Sequence, residues 1–298
     1  MSKCLNYEVT NEGDGLKIRD YMTEFLSFSG RFTRNAGMEK RIKVNGAVVK
    51  LNYKVHVGDN LSIQVEKEES QNIIPEDLAI EVVYEDDDLL VVNKRPFMVV
   101  HPTKSHATGT LSNGVLYHFK KNNEKCIVRL VSRLDMDTSG LIMIAKNQFA
   151  HMNLAKAMEE GKIIKSYLAV VHGSINPPQG TIDLPIGRPS EESIKRVVCE
   201  EGQRSITHYK TIDTYGKDSL VELTLETGRT HQIRVHLSYI GNPIYGDTLY
   251  GIKEDEDMIN RQALHAYKLV IPHPRTQNVL TIDSELPNDI KKLIEIIR

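Results

Sequence analysis

From Ile80 onward the chain keeps returning to short apolar or alternating runs set between turn residues, at 80–84, 89–93, 141–145, 167–171, 206–212, 220–225 and 264–271. A strand sends successive side chains to opposite faces, so alternation over this length reads as strand. Helical spacing intervenes at 148–160, 230–240 and 286–297. Strand runs dominate and helices are inserted irregularly, so alternating βαβ units are not expected. The pattern predicts an α+β fold with a mainly antiparallel mixed β-sheet flanked by helices.

The first 65 residues read as a separate small α/β unit. Leu16, Ile18, Tyr21, Met22 and Phe25 fall near helical spacing, a second and basic helix is expected over 33–40, and strands are expected over 42–49 and 55–65 around an Asn45-Gly46 turn. The total charge of −2 hides a strong division. Between Arg31 and Lys54 there are seven basic residues against Glu39 alone, whereas Glu66 to Asp88 holds ten acids and only Lys67. A pair of solvated faces would give the same pattern, but so would a basic nucleic-acid-binding module followed by an acidic connector. Residues 66–77, polar, acidic and containing Pro75, read as a linker, and 78–298 as the second domain.

Ser29, Arg31, Val44, Asn45, Gly46, Val57, Gly58, Asp59 and Ile63 make the first unit resemble a small RNA-binding domain shared by a bacterial small-subunit ribosomal protein and many RNA-modifying enzymes. That resemblance implies phosphate contacts by Arg31, Arg34, Lys40 and Arg41.

Within the second domain, Arg133-Leu134-Asp135 sits between the apolar Ile127, Val128, Leu130 and Val131 and the run 141–145, and Thr138-Ser139-Gly140 reads as a turn re-entering a strand. Charged groups are seldom buried unpaired, so Asp135 is either an ion-pair member or a working acid on a fixed loop. A second run, from Leu223 to Leu237, reads as strand, glycine turn and amphipathic helix. His231 and Arg234 are three apart and share a helical face, while His231 and His236 are five apart and do not, so a helical zinc pair is not expected.

The two runs together resemble the pseudouridine synthases of the RluA/RluD type, whose Arg-Leu-Asp-x-x-Thr-Ser-Gly motif is matched by Arg133, Leu134, Asp135, Thr138, Ser139 and Gly140. The chain carries Ser132 where that family often has histidine, and Arg95-Pro96-Phe97 replaces the usual proline and glycine of an Asn-Lys-Pro-x-Gly entry. The resemblance implies the pseudouridine synthase fold, with Asp135 catalytic, Tyr167 stacking on the target base and Arg234 beside the carboxylate. Arg133, Arg229 and His231 are then expected to bind substrate, and Lys195, Arg196 and Arg204 to offer further phosphate contacts. On spacing alone Tyr167 would be core filling and Asp247 a cap or hydrogen-bond acceptor.

No cofactor is expected, since neither a Gly-x-Gly-x-x-Gly turn nor a Gly-Lys-Ser/Thr loop is present, and no metal. Cys4, Cys126 and Cys199 are too scattered for a disulfide framework or a zinc site. No run approaches the roughly 18 apolar residues of a membrane span. The expectation is a cytoplasmic monomer acting on RNA, with ribosomal RNA favoured and tRNA open. Two other readings stay in view: an RNA-binding or ribosome-assembly factor without catalysis, and a nucleoside or glycoside hydrolase with Asp137 as its second acid.

Overall fold

A computed structural model of the chain describes residues 4–65 and 71–298. The first unit contains β1 (Cys4–Glu8), α1 (Ile18–Glu24), α2 (Gly30–Met38), β2 (Ile42–Val44), β3 (Ala47–Val48) and β4 (Asn60–Gln64). Its four strands lie in the order β1-β4-β2-β3 and all pair antiparallel. The Ser29 hydroxyl accepts the Phe32 N–H at 3.1 Å and so caps α2. Asn45 and Gly46 take φ of 49° and 83°, the left-handed pair that a two-residue hairpin turn demands. The Asn45 side chain then bonds Asp59 at 2.7 Å, fastening one turn to the next.

Arg31 and Arg34 are exposed on α2, and Lys40 is exposed just beyond it. Arg41 departs from the expectation of a phosphate contact. It is buried, its guanidinium lies 5.2 Å from the Phe32 ring centre, and it donates to Glu39 at 2.8 Å and to the Gln64 carbonyl at 2.9 Å. Charge counting cannot distinguish a cation that faces water from one that packs on a ring.

The second unit is built on a ten-stranded sheet. Its elements are β5 (Glu81–Glu85), β6 (Leu89–Lys94), α3 (Leu111–Lys121), β7 (Arg129–Leu130), β8 (Ser139–Ala145), α4 (Gln148–Glu159) and β9 (Ile164–Val171). They continue as β10 (Gln179–Asp183), a two-strand hairpin of β11 (Ile186–Gly187) and β12 (Val197–Val198), β13 (Ile206–Tyr215) and β14 (Asp218–Leu225). Helix α5 (Gln232–Tyr239), strands β15 (Leu264–Pro272) and β16 (Val279–Asp283), and helix α6 (Asn288–Ile297) complete the chain. The main path runs β10-β13-β14-β9-β15-β8-β6-β5, with β16 on β15 and β7 on β8. Among the described residues, only β8 and β15 pair parallel within this sheet. The fold is thus α+β with a mainly antiparallel mixed sheet. No helix among the described residues is long and apolar enough to cross a membrane.

Helix α3 was not legible in the sequence, where Asn113-Gly114 looks like a turn. Instead the Asn113 side chain closes a reciprocal capping box with Thr110. The residues 66–70 of the expected linker lie outside the described residues. From 71 on the chain is clamped to the second unit: the Gln71 amide exchanges bonds with the Val128 backbone at 3.1 and 2.9 Å, and Asn113 Nδ2 donates to the Ile74 carbonyl at 2.7 Å.

Helix α4 joins the two units. Ala150, Leu154 and Ala157 pack with Leu89, Val91 and Met143 on the large sheet, while Phe149 belongs to the core of the small unit. There the Phe149 ring lies 5.1 Å from Phe28, and Met152 packs beside it.

Candidate active site

Asp135 stands on the loop between β7 and β8, and residues just beyond it hold that loop. The Thr138 N–H closes a turn on the Asp135 carbonyl at 3.2 Å. Thr138 Oγ1 accepts Gln262 Nε2 at 3.1 Å, and Ser139 Oγ pairs with His265 Nδ1 at 2.9 Å. Gly140 has φ 116°, and a Cβ there would collide with the Ala266 backbone. Glycine is therefore what lets β8 approach β15.

Two buried cations hold the same loop from behind. Lys94 Nζ donates to the carbonyls of Met136, Arg95 and Met98 at 2.8, 2.9 and 3.0 Å. Burial pulls the Lys94 amine down to about 7, with Asp137 and Asp135 only partly opposing it. Arg261, paired with Asp289 at 2.6 and 3.0 Å, donates to the Asp137 carbonyl at 3.2 Å. In the loop that Lys94 spans, Phe97 takes the left-handed φ of 59° at the position where glycine was expected. That costs a side-chain-bearing residue about 1–2 kcal/mol.

Helix α5 presents the facing cation. Arg234 donates through Nε and Nη2 to both oxygens of Asp247, at 2.7 and 2.8 Å, and through Nη1 to Asp135 Oδ2 at 3.0 Å. Burial opposes its charge, but hydrogen bonds and the fields of Asp247 and Asp135 more than offset that and raise its pKa. Asp247 is thus the acceptor the sequence suggested, and it also takes the N–H groups of Leu249 and Tyr250 at 2.9 and 3.0 Å.

A cavity of about 670 Å³ opens at this point, lined by Asp135, Tyr167, Arg234, Arg133, Arg229 and His231 among others. All six of the catalytic and substrate-binding residues expected from sequence therefore meet at one opening, whose size suits a nucleotide. Tyr167 comes from β9, flanked by β14 and β15, and its phenol pKa is raised by burial and by Asp135. His231 precedes α5, with Nε2 at 3.9 Å from Asp135 Oδ2; burial lowers its pKa while Asp135 works against that. Arg133 and Arg229 are exposed at the rim, the latter donating Nε to the Arg204 carbonyl at 3.2 Å. Lys165 also lines the cavity, with its amine pKa lowered by burial, and was not singled out from sequence. Its two-residue spacing from Tyr167 on one strand was the available signal.

Asp137 does not line the cavity, so it does not supply a second acid facing Asp135. His236 turns to Thr207 and the Leu184 carbonyl at 2.9 and 3.0 Å, away from His231. Among the described residues Asp86, Asp88 and His273 cluster closely enough to hold a metal ion. There Arg275 bonds both Asp88 oxygens at 2.6 and 2.9 Å and His273 Nε2 bonds Asp86 at 2.7 Å, so these groups are already paired with one another and with an arginine. The Arg196 guanidinium folds onto the carbonyls of Ser193, Ile194 and Lys195, and Arg204 lies 3.8 Å from Asp183.

A carboxylate paired with a buried arginine beside a tyrosine-walled cavity is equipped for nucleophilic or general-base chemistry on a substrate held there. The family model for RNA pseudouridylate synthase matches residues 88–239. YlyB of Bacillus subtilis, described as an uncharacterized RNA pseudouridine synthase, is 43% identical over 87% of this chain and 86% of its own length. Ribosomal large subunit pseudouridine synthase D of Pseudomonas aeruginosa is 37% identical over 98% of this chain and 95% of its own. The solved human RNA Pseudouridylate Synthase Domain Containing 1 aligns with a TM-score of 0.58 and 31% identity, over 70% of this chain and 83% of that one. The chain belongs to the RNA pseudouridylate synthase family. It is an isomerase acting on RNA.

Proposed function

We propose that this enzyme converts uridine to pseudouridine in large-subunit ribosomal RNA, with Asp135 as the catalytic carboxylate. The observation that carries the assignment of Asp135 is its 3.0 Å bond to Arg234 at the wall of the cavity that Tyr167 also lines. The reaction breaks the bond from ribose C1′ to uracil N1, turns the base and joins C1′ to C5. The C5 proton leaves and N1 takes one, so neither oxidant nor water is consumed. Asp135 serves as nucleophile or as base, Arg234 holds it in place, and the Tyr167 ring receives the flipped uracil. Extrusion of the base costs a few kcal/mol, which stacking on the ring and phosphate contacts by Arg133, Arg229 and Lys165 offset. The large-subunit target is supported by the relative from Pseudomonas aeruginosa, whose match extends through the small basic unit.

Asp135→Asn is expected to retain the fold and RNA binding and to lose pseudouridine formation; normal turnover by that variant would remove Asp135 from the mechanism. Pseudouridine mapping in cells with and without the protein is expected to show a loss in large-subunit ribosomal RNA. A loss confined to tRNA would overturn the target.

A further inference from the structure

The Tyr250 hydroxyl stands between two groups whose hydrogens are constrained. On one side it receives the backbone N–H of Arg196, in the β11–β12 connection directly before β12, at 2.7 Å. On the other it lies 2.9 Å from His231 Nδ1. A backbone N–H can only donate, so at that contact the phenol oxygen is the acceptor. The phenol has one hydrogen of its own, and among the described residues His231 Nδ1 is the only acceptor within its reach. If Nδ1 carried the ring hydrogen instead, the phenol would accept twice and its own hydrogen would have no protein partner. Directing that hydrogen to Nδ1 leaves the hydrogen of a neutral imidazole on Nε2.

Nε2 is the nitrogen on the Asp135 side. Its 3.9 Å separation from Oδ2 exceeds a hydrogen bond, and both residues line the cavity, so the N–H is left to donate to an acceptor that enters there. The charged and titratable groups around the ring are Asp135, Arg234, Arg196, Asp247 and Tyr250. His231 holds a left-handed φ of 58° directly before α5, so its ring is carried by an uncommon backbone state. The Tyr250 ring also packs under the Arg234 guanidinium, 5.2 Å from its centre, so one side chain buttresses both groups that face Asp135.

We propose that Tyr250 is a positioning residue that fixes His231 as the Nε2–H tautomer, and that this N–H donates to a uracil carbonyl or ribose oxygen of the uridine held beside Asp135. The first half concerns the free protein and is independent of the catalytic assignment; the second rests on it. The hairpin enters through its backbone, because the Arg196 amide takes the phenol's acceptor role and so sends the phenol's hydrogen to the imidazole.

The test is long-range proton–nitrogen NMR of the free full-length protein with labelled histidine, the His231 signals being assigned by their loss in His231→Gln. The wild-type protein is expected to show the Nε2–H tautomer. Tyr250→Phe keeps the ring under Arg234 and removes only the hydroxyl; it is expected to shift His231 toward a tautomer mixture. Its kcat should fall on the order of tenfold to a hundredfold with KM for RNA little changed, as for a misplaced contact made during reaction. Arg196→Ala retains the backbone N–H and is expected to keep the wild-type tautomer. An Nδ1–H tautomer in the wild-type protein overturns the proposal by itself, even should Tyr250→Phe not fold. An unchanged tautomer with unchanged kcat in Tyr250→Phe overturns it as well. Turnover by Asp135→Asn would sink the catalytic reading while leaving the tautomer result standing.

Discussion

Arg234 divides one guanidinium between two carboxylates: two of its nitrogens hold Asp247 at 2.7 and 2.8 Å, and the third reaches Asp135 at 3.0 Å. Asp247 is fully buried, so this is an internal pair with an outward-reaching arm. Removing one partner of a buried pair leaves an uncompensated charge, at a cost of about 3–5 kcal/mol. Asp247→Ala is expected to lower stability by about that amount in urea melts and to reduce kcat by freeing Arg234 from its orientation. Arg234→Lys should fare poorly too, since an ammonium cannot reproduce the planar fork. Wild-type stability in Asp247→Ala would show that the pair contributes nothing net.

Gly140 sits where β8 meets β15, with Ala266 backbone in the space a side chain would need. Gly140→Ala forces both a strained φ and a backbone clash, so the two strands must separate. Expected losses exceed the roughly 1 kcal/mol of an ordinary glycine substitution. Thermal melts of the variant check this, and a melting temperature within error of wild type would refute it.

Burial, aided by Arg261, drops the His265 imidazole to about 4, whereas an unfolded chain titrates near 6.5. Between those values the unfolded chain holds a proton that the folded protein does not. Stability from this group is therefore complete above about pH 6.5 and is lost as the pH falls toward 4, by about 3 kcal/mol at most. In His265→Gln the fall in unfolding free energy between pH 7 and 5 should be shallower than in wild type. Equal slopes would place the acid sensitivity elsewhere.

Arg34 is exposed on α2 and Arg41 is buried on Phe32, so the two should separate in experiment. Arg34→Ala is expected to weaken RNA binding and reduce its salt slope by about 1, with the melting temperature unchanged. Arg41→Ala should lower the melting temperature of the small unit without altering that slope. The reverse result would restore Arg41 as a phosphate contact.

The parts of the site that could be read from sequence are those carried by contiguous residues. Asp135 and its turn occupy one short run, and Arg234 with His231 another, so local spacing already brought each set together. Arg261 had no such signature, because its partners Asp289 and the Asp137 carbonyl lie far along the chain in opposite directions. Strands β5, β6, β8 and β9 followed the apolar pattern within a few residues, since buried strands announce themselves by composition. Helix α3 did not, because its start depends on a side-chain bond from Asn113 that overrides the turn preference of Asn-Gly. Helix α5 begins at Gln232, later than its periodicity suggested, because His231 turns left-handed before it.

Helix α4 belongs to two cores at once, with Phe149 in the small unit and Leu154 under the large sheet. A basic surface on a unit seated against such a shared helix does not trail on a tether. The protein sets the offset between α2 and Asp135, as the jaws of a caliper are set. An RNA gripped by the small unit would then offer only the uridine that its own folded shape holds at that offset, so distance would select the target where base sequence does not.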